Sequence, residues 1–332
     1  MTYLYINENL QNASTYVRYA DEVPAAILVF NIVKKKICVL NESICLPSEE
    51  IQLFTNEIFL RYKNIDVVSF HAIETNDHNF SAPYQLYPYL SDMWMPTPTS
   101  PEAYLKSLDP RTRQNIGRSL RNIQKHFRSF AYDVLEKDDV CELTIRKIIA
   151  FNRARLFSKG EVSSVNEPEL QRIVAITRES GLVGIATING HICGGQICYR
   201  FGTNFVFRAT GHDTAYDSYG LGFLGTYMIF CACIERGAKS INMGWGTLGY
   251  KFKLGGIQRN LKNLLVFRSK MSYVLNVRLI AKSSIDAAAR RLRHFIKRSS
   301  QAEGGASAVS MWLINRMRTL RKLKTSLCNR SV

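Results

Sequence analysis

NFVFRATGHDTAYDSYGLG, residues 204–222, decides how this chain folds. The run from Asn204 to Thr210 is apolar, aromatic and strand-like, and it ends in a turn-rich segment that opens through Gly220-Leu221-Gly222 into an apolar helical stretch. That helix runs to Glu235, closes at Arg236-Gly237 with glycine just past the cap, and delivers a strand at Ser240–Met243. The result is a β-α-β unit. At its turn the amides of Leu221, Gly222 and Phe223 are placed to meet an anion under the helix dipole. A tight loop shaped by Gly220 and Gly222 is the simpler reading of the same glycines.

Working outward, Leu182–Ile188, His191–Phe201 and Asn204–Thr210 form a meander with turns at Asn189-Gly190 and Gly202-Thr203, which demands antiparallel pairing. Helices are expected over Asp139–Leu156 and Glu167–Ser180, and a last strand over Asn263–Arg268. Upstream, Asp109 and Pro110 occupy cap and first-turn positions of a helix. Its Ile116, Leu120, Ile123 and Phe127 share one face, while Arg118, Arg121, Lys125 and Arg128 share another. The first hundred residues read as a small α/β lobe: strands Ala25–Asn31 and Ile37–Leu40 around Lys34-Lys35-Lys36, a helix over Ser48–Tyr62, and a strand over Ile65–Phe70. The prolines of PTPTSP, residues 96–101, place a connection there. The expected organisation is therefore a lobe over 1–100, a basic helix over 101–131, a main domain over 132–275 and a helical tail over 276–332.

The chain has 332 residues, 44 basic and 27 acidic, for a net charge of +17, which points to anionic partners. Residues 277–332 hold 13 basic and 2 acidic residues, so the tail alone supplies +11. There Val274, Val277, Ala281, Ile285, Ala288, Leu292 and Phe295 recur at helical spacing, and a Ser/Gly-rich linker at 299–308 precedes a second helical pattern through Met317 and Leu320. Such a tail is compatible with an anionic membrane surface, with RNA, or with packing on its own protein. The longest apolar stretch, Val23–Phe30, is far short of the roughly 20 residues of a membrane span, and residues 1–10 lack a secretory pattern. A cytoplasmic protein, peripheral on the inner face of the membrane if the tail docks there, is the expectation. The eight cysteines show no metal-ligand spacing, so no metal is expected. Cys231 and Cys233 point to different helix faces and read as core.

GxSxG and HExxH are missing, and Gly244-x4-Gly249 is followed by Tyr250 where a P-loop needs lysine. Gly244-Trp245-Gly246-Thr247-Leu248-Gly249 matches GxGxxG, yet no acid stands between Arg236 and Ile285 to hold a ribose, while ten basic residues do. Nucleotide hydrolysis and dinucleotide binding are thereby disfavoured.

The GxG turn after a long strand, ERGAKSINMGWG at 235–246 and Tyr250-Lys251-Phe252-Lys253 resemble the GNAT acyltransferase superfamily, specifically its CelD-like branch related to FemAB peptidyltransferases. RTRQNIGRSLRNIQKHF at 111–127 and Phe151-Asn152-Arg153-Ala154-Arg155 resemble segments of that branch, and the likeness covers roughly residues 95–270. It implies an α/β (α+β) GNAT fold with a mixed, largely antiparallel central sheet, preceded by a smaller degenerate GNAT-like lobe and followed by basic helices. Two departures stand out: Asp217 begins the turn where the superfamily has Gln or Arg, and Asn152 stands where the branch often has histidine.

The resemblance implies an acyl-CoA-dependent N- or O-acyltransferase, with acetyl-CoA or another acyl-CoA as co-substrate and an amine or hydroxyl acceptor attacking the thioester. Ala209, Thr210, Gly220, Leu221, Gly222 and Phe223 are the expected cofactor contacts. His212 and Asp213 are candidate bases, Tyr250 a candidate acid, and Arg155 and Lys251 expected anion contacts. Two alternatives stay open: a FemAB-type transferase using aminoacyl-tRNA, and a non-catalytic GNAT-like module at a membrane.

Overall fold

The computed structural model describes residues 12–75, 80–158, 160 and 163–302. Most of the linker expected at 299–308, and the whole helical pattern beyond it, lie outside them; α9 below runs through the linker's first residues to Ala302.

Hairpin chemistry builds the first strands. β1 (Ser14–Ala20) pairs antiparallel with β2 (Val23–Val33), and β2 with β3 (Lys36–Val39). The second turn is made by Lys34, at φ 56°, and Lys35. A short β4 (Ile44–Cys45) and helix α1 (Ser48–Arg61) follow, then β5 (Val67–Glu74) and β6 (Tyr84–Pro96). Two short steps lead on: α2 (Pro101–Ser107), capped by Ser100, and α3 (Pro110–His126), where the Asp109 carboxylate accepts from the amides of Arg111 and Thr112 at 3.0 Å. Ile116 and Ile123 of α3 are buried, and Arg118, Arg121 and Lys125 are exposed.

β7 (Ala131–Glu136) opens the second half. Helices α4 (Glu142–Ser158) and α5 (Glu167–Ser180) lead into β8 (Gly181–Ile188), β9 (His191–Phe201) and β10 (Asn204–His212). The Asn189-Gly190 turn has φ of 52° and 75°, the double left-handed pair that closes a two-residue hairpin. A 3-10 turn over Thr214–Tyr219 precedes α6 (Leu221–Glu235), β11 (Ser240–Trp245), α7 (Gly249–Lys253) and β12 (Ile257–Phe267). Last come α8 (Lys270–Leu275) and α9 (Val277–Ala302).

All twelve strands join one mixed, mostly antiparallel sheet, ordered β1-β2-β3-β5-β12-β6-β11-β10-β9-β8-β7 with β4 beside β5. β10–β11, β3–β5 and β4–β5 are parallel. β12 lies between β5 and β6, so the last strand sits among strands from the first hundred residues, and β6 pairs in turn with β11. β6 carries Pro88, which reads against a strand in the sequence. The register explains how it fits: Pro88 opposes Lys262 and Ser91 opposes Asn260, so Tyr89 and Leu90 bulge against the single residue Leu261.

Helices cover both faces. In β10, Phe205 and Phe207 pack with α6, whereas Val206 and Ala209 pack with α4 and α5. The jump between Phe207 and Ala209 is a bulge at Arg208. Cys233 is buried in the α6 core, with Cys231 packed against it. Where the two halves of the sheet meet, Asp92 of β6 is 1% exposed and opposes Arg259 of β12, which donates Nε to Oδ1 at 3.0 Å and Nη2 to Oδ2 at 2.5 Å. Ser43 also donates to Asp92, and Asn242 Nδ2 donates to Ser43 Oγ at 2.9 Å. Removing one member of such a buried pair strands the other charge. Arg259→Met should destabilise the protein by about 3–5 kcal/mol, and adding Asp92→Leu should restore part of the loss; denaturant unfolding of the single and double variants measures it.

Candidate functional site

A gap opens in the sheet beside Thr210. The parallel ladder between β10 and β11 covers only Asn204–Val206 against Ser240–Asn242, although β10 continues to His212 and β11 to Trp245. On the other edge β10 stays paired with β9 to the end. Asp213 donates its amide to the Cys193 carbonyl at 2.9 Å, and an antiparallel ladder alternates, so Gly211 and Ala209 also bond toward β9. Among the amides of Ala209, Thr210 and Gly211, Thr210's is the one that faces the gap.

α4 forms the roof. A Cβ on Gly211 would stand 2.3 Å from the Ile148 carbonyl oxygen, so the helix lies directly on the strand. From that helix Asn152 Nδ2 donates to the Thr210 carbonyl at 2.7 Å. One turn further, the Nε of Arg155 is buried with no hydrogen-bond partner among the described residues. Across the gap Tyr250, on α7, packs against the α6 core, and burial raises its hydroxyl pKa while nearby Arg155 acts in the opposite sense. Thr210, Asn152, Arg155 and Tyr250 therefore come together around one opening.

The other expected residues have different occupations. Lys251 is 4% exposed and its Nζ donates to the carbonyls of Gly244, Trp245 and Gly246 at 3.1, 2.8 and 3.1 Å. Burial pushes its pKa down to about 8. It is no anion contact: it holds the loop after β11, because three main-chain carbonyls already surround the ammonium. Asp213 accepts from the Ala215 amide at 3.0 Å and caps the 3-10 turn, which removes it as a free base. His212 Nε2 meets Asp217 at 2.6 Å, and the ring lies against α6 rather than in the gap. A Cβ on Gly222 would come within 2.5 Å of His212 Cε1, so glycine is required for this contact. Its Nδ1 is buried and unpartnered.

Side chains crowd the expected diphosphate seat, and one of its three amides is engaged. Phe223 donates to the Gly220 carbonyl at 3.1 Å, so its amide is taken; Ser119 of α3 stands over Gly220; and the His212 ring covers Gly222 with the Asp217 carboxylate beside it. Leu221 is 1% exposed. Next to the seat, Phe127 at the end of α3 is gripped by Tyr216 and Tyr219, with ring centroids 5.5 and 5.3 Å away. The exposed arginines of α3 therefore flank the same corner.

Sequence reasoning missed a second group of side chains, beside Trp245. Glu42 and His71 Nδ1 are 2.6 Å apart, His71 meets Tyr89 at 4.3 Å, Tyr89 meets Trp245 at 5.8 Å, and the Arg290 guanidinium lies 5.0 Å over Tyr89. Arg290 Nε is buried with no hydrogen-bond partner among the described residues. The five residues come from a loop, three strands and a helix, so no sequence spacing signals them. Among the described residues no group of three metal-ligating side chains clusters.

Residues 110–252, which include the gap, its roof and α6, match the family model described as an acetyltransferase (GNAT) domain. Over that segment the chain is similar to a GNAT domain. The full fold is similar to that of FemX, at 8% identity and a TM-score of 0.56 over 80% of this chain and 91% of that one. It is similar too to a conserved protein of unknown function from Bacteroides thetaiotaomicron, at 10% identity and 0.50 over 73% and 83%. The C-terminal domain of a putative lysylphosphatidylglycerol synthetase from Agrobacterium fabrum aligns at 11% identity and 0.46 over 79% and 86%. No curated protein matches the sequence. The strand gap and the turn into α6 thus both fall inside the GNAT domain.

Two substitutions separate scaffold from site. Lys251→Met leaves three carbonyls without their donor and should cost about 2–4 kcal/mol of stability, seen as a lower melting temperature. Arg155→Ala, which breaks no ion pair among the described residues, should leave the melting temperature within about 2 °C of the parent.

Proposed function

We propose that the GNAT domain transfers an acyl group from an activated carrier to an amine or hydroxyl acceptor at the gap between β10 and β11. The observation that carries this reading is the inward-facing amide of Thr210 at a break in an otherwise continuous ladder. A preorganised donor there stabilises the oxygen of the attacked carbonyl as charge develops on it, an effect worth about 3–4 kcal/mol for one such group. Asn152 holds the strand so that this amide cannot turn away. The unpartnered Arg155 Nε beside Tyr250 is the anion contact of this site. The acceptor lies along Trp245, Tyr89 and His71, whose rings extend from the end of β11 into the first lobe.

One observation bears on the carrier. The turn into α6 is closed by His212 and carries Asp217, whereas α3 beside it exposes Arg118, Arg121 and Lys125. A carboxylate and an imidazole crowding the turn where a diphosphate would sit, next to a cationic helix, favour the FemAB-type reading, an aminoacyl-tRNA donor, over acyl-CoA. In that reaction the acceptor's lone pair attacks the ester carbonyl carbon, the bond to the ribose oxygen breaks, and the acceptor's proton ends on that oxygen. Retention of aminoacyl-tRNA should fall steeply with salt and weaken further in Arg118→Ala/Arg121→Ala, while coenzyme A leaves the melting curve unmoved. Stabilisation by coenzyme A approaching about 2.7 kcal/mol at a hundredfold excess over Kd, with no tRNA retained, would overturn this choice of donor.

A further inference from the structure

Two apolar stripes run along α9. Leu279, Ile280 and Ala287 form the first and pack on Tyr87, Leu265 and Phe267, with the Tyr87 hydroxyl donating to the Ile280 carbonyl at 3.1 Å. Val277, Ala281, Ile285, Ala288 and Leu292 form the second. Their spacing of four, four, three and four residues confines them to about 80° of the helix circumference. Periodicity alone leaves open what this second stripe faces, and the structure turns it outward: Val277, Ile285 and Leu292 are 60%, 68% and 58% exposed, and both alanines are exposed. α8 adds Met271, Val274 and Leu275, at 68%, 65% and 74%. Among the described residues, six of the eighteen exposed large hydrophobic residues therefore lie between Met271 and Leu292, a density that single scattered residues do not reach.

Charge frames the stripe. Going around α9 at 100° per residue, Arg278 and Lys282 follow it on one side and Arg291 on the other, while Asp286 falls well away from its centre. All three basic residues are exposed, as is Lys270 on α8. We propose that the α8–α9 surface docks flat on an anionic lipid bilayer, the apolar stripe entering the headgroup boundary and the flanking cations meeting lipid phosphates. The same charges disfavour the other occupants. A two-fold contact with a second copy sets Arg278, Lys282 and Arg291 against their own counterparts, and residues 303–332, with six basic and one acidic residue, repel the stripe's rim.

Vesicle flotation of the full chain tests the proposal, using phosphatidylcholine alone and phosphatidylcholine with 30% phosphatidylglycerol as an arbitrary anionic fraction of about physiological size. Binding to the anionic vesicles should exceed binding to the neutral ones and fall with salt. Ile285→Asp/Leu292→Asp should weaken it at least about tenfold, with an unchanged melting temperature because both side chains are exposed. Arg278→Gln/Lys282→Gln should weaken it about 25-fold, at about fivefold per cation. Equal flotation of the parent and the aspartate variant overturns the proposal, as does a dimer in light scattering that the aspartate variant dissolves.

Discussion

The buried pair between Asp92 and Arg259 holds the two halves of this sheet in register. A carboxylate that is 1% exposed is tolerable only with its charge matched, and the guanidinium supplies two hydrogen bonds while Ser43 supplies a third. Because β6 pairs with both β11 and β12, the same carboxylate position governs the ends of both strands. From it the order runs outward: Asn242 donates to Ser43 and accepts from the Gly244 amide at 2.7 Å, and Lys251 gathers the three carbonyls that follow. The loop that borders the gap is thus fixed by a polar network reaching back into the first lobe.

That rigidity has a chemical use. A hydrogen-bond donor stabilises a developing oxyanion most when it is already aimed and needs no reorganisation, and the Thr210 amide meets this condition by belonging to a strand pinned on one edge by β9 and from above by α4. The corner at α6 shows the opposite character. There the His212 ring packs on Gly222 and meets the Asp217 carboxylate, so side chains stand close to the helix start where the dipole favours an anion.

α9 illustrates how one helix serves two surroundings. Its inner stripe holds it on the β12 side of the sheet, and the outer stripe remains for another apolar phase. Arg290, on the inner side of the helix, reaches Tyr89 and so links this helix to the aromatic row beside Trp245.

Local chemistry made much of the fold legible. Asp109-Pro110 starting a helix, Asn189-Gly190 closing a hairpin and Gly220-Leu221-Gly222 opening α6 each rest on the backbone preferences of a few adjacent residues, and each stands where the sequence places it. β6 escaped because Pro88 is admitted only by a bulge whose partner, Leu261, is far away in sequence. Residue types likewise indicated a site near Thr210, Arg155 and Tyr250 but could not tell Lys251 the anion contact from Lys251 the loop clamp. That distinction depends on which carbonyls surround its ammonium, and the stripe of α9 that meets water depends equally on which strands lie beneath the helix. The sequence by itself determined most of the elements and their order, since these follow from neighbours along the chain; only the tertiary structure decided the admission of β6, the insertion of β12 and the outward stripe, because they arise from contacts between residues up to about two hundred positions apart.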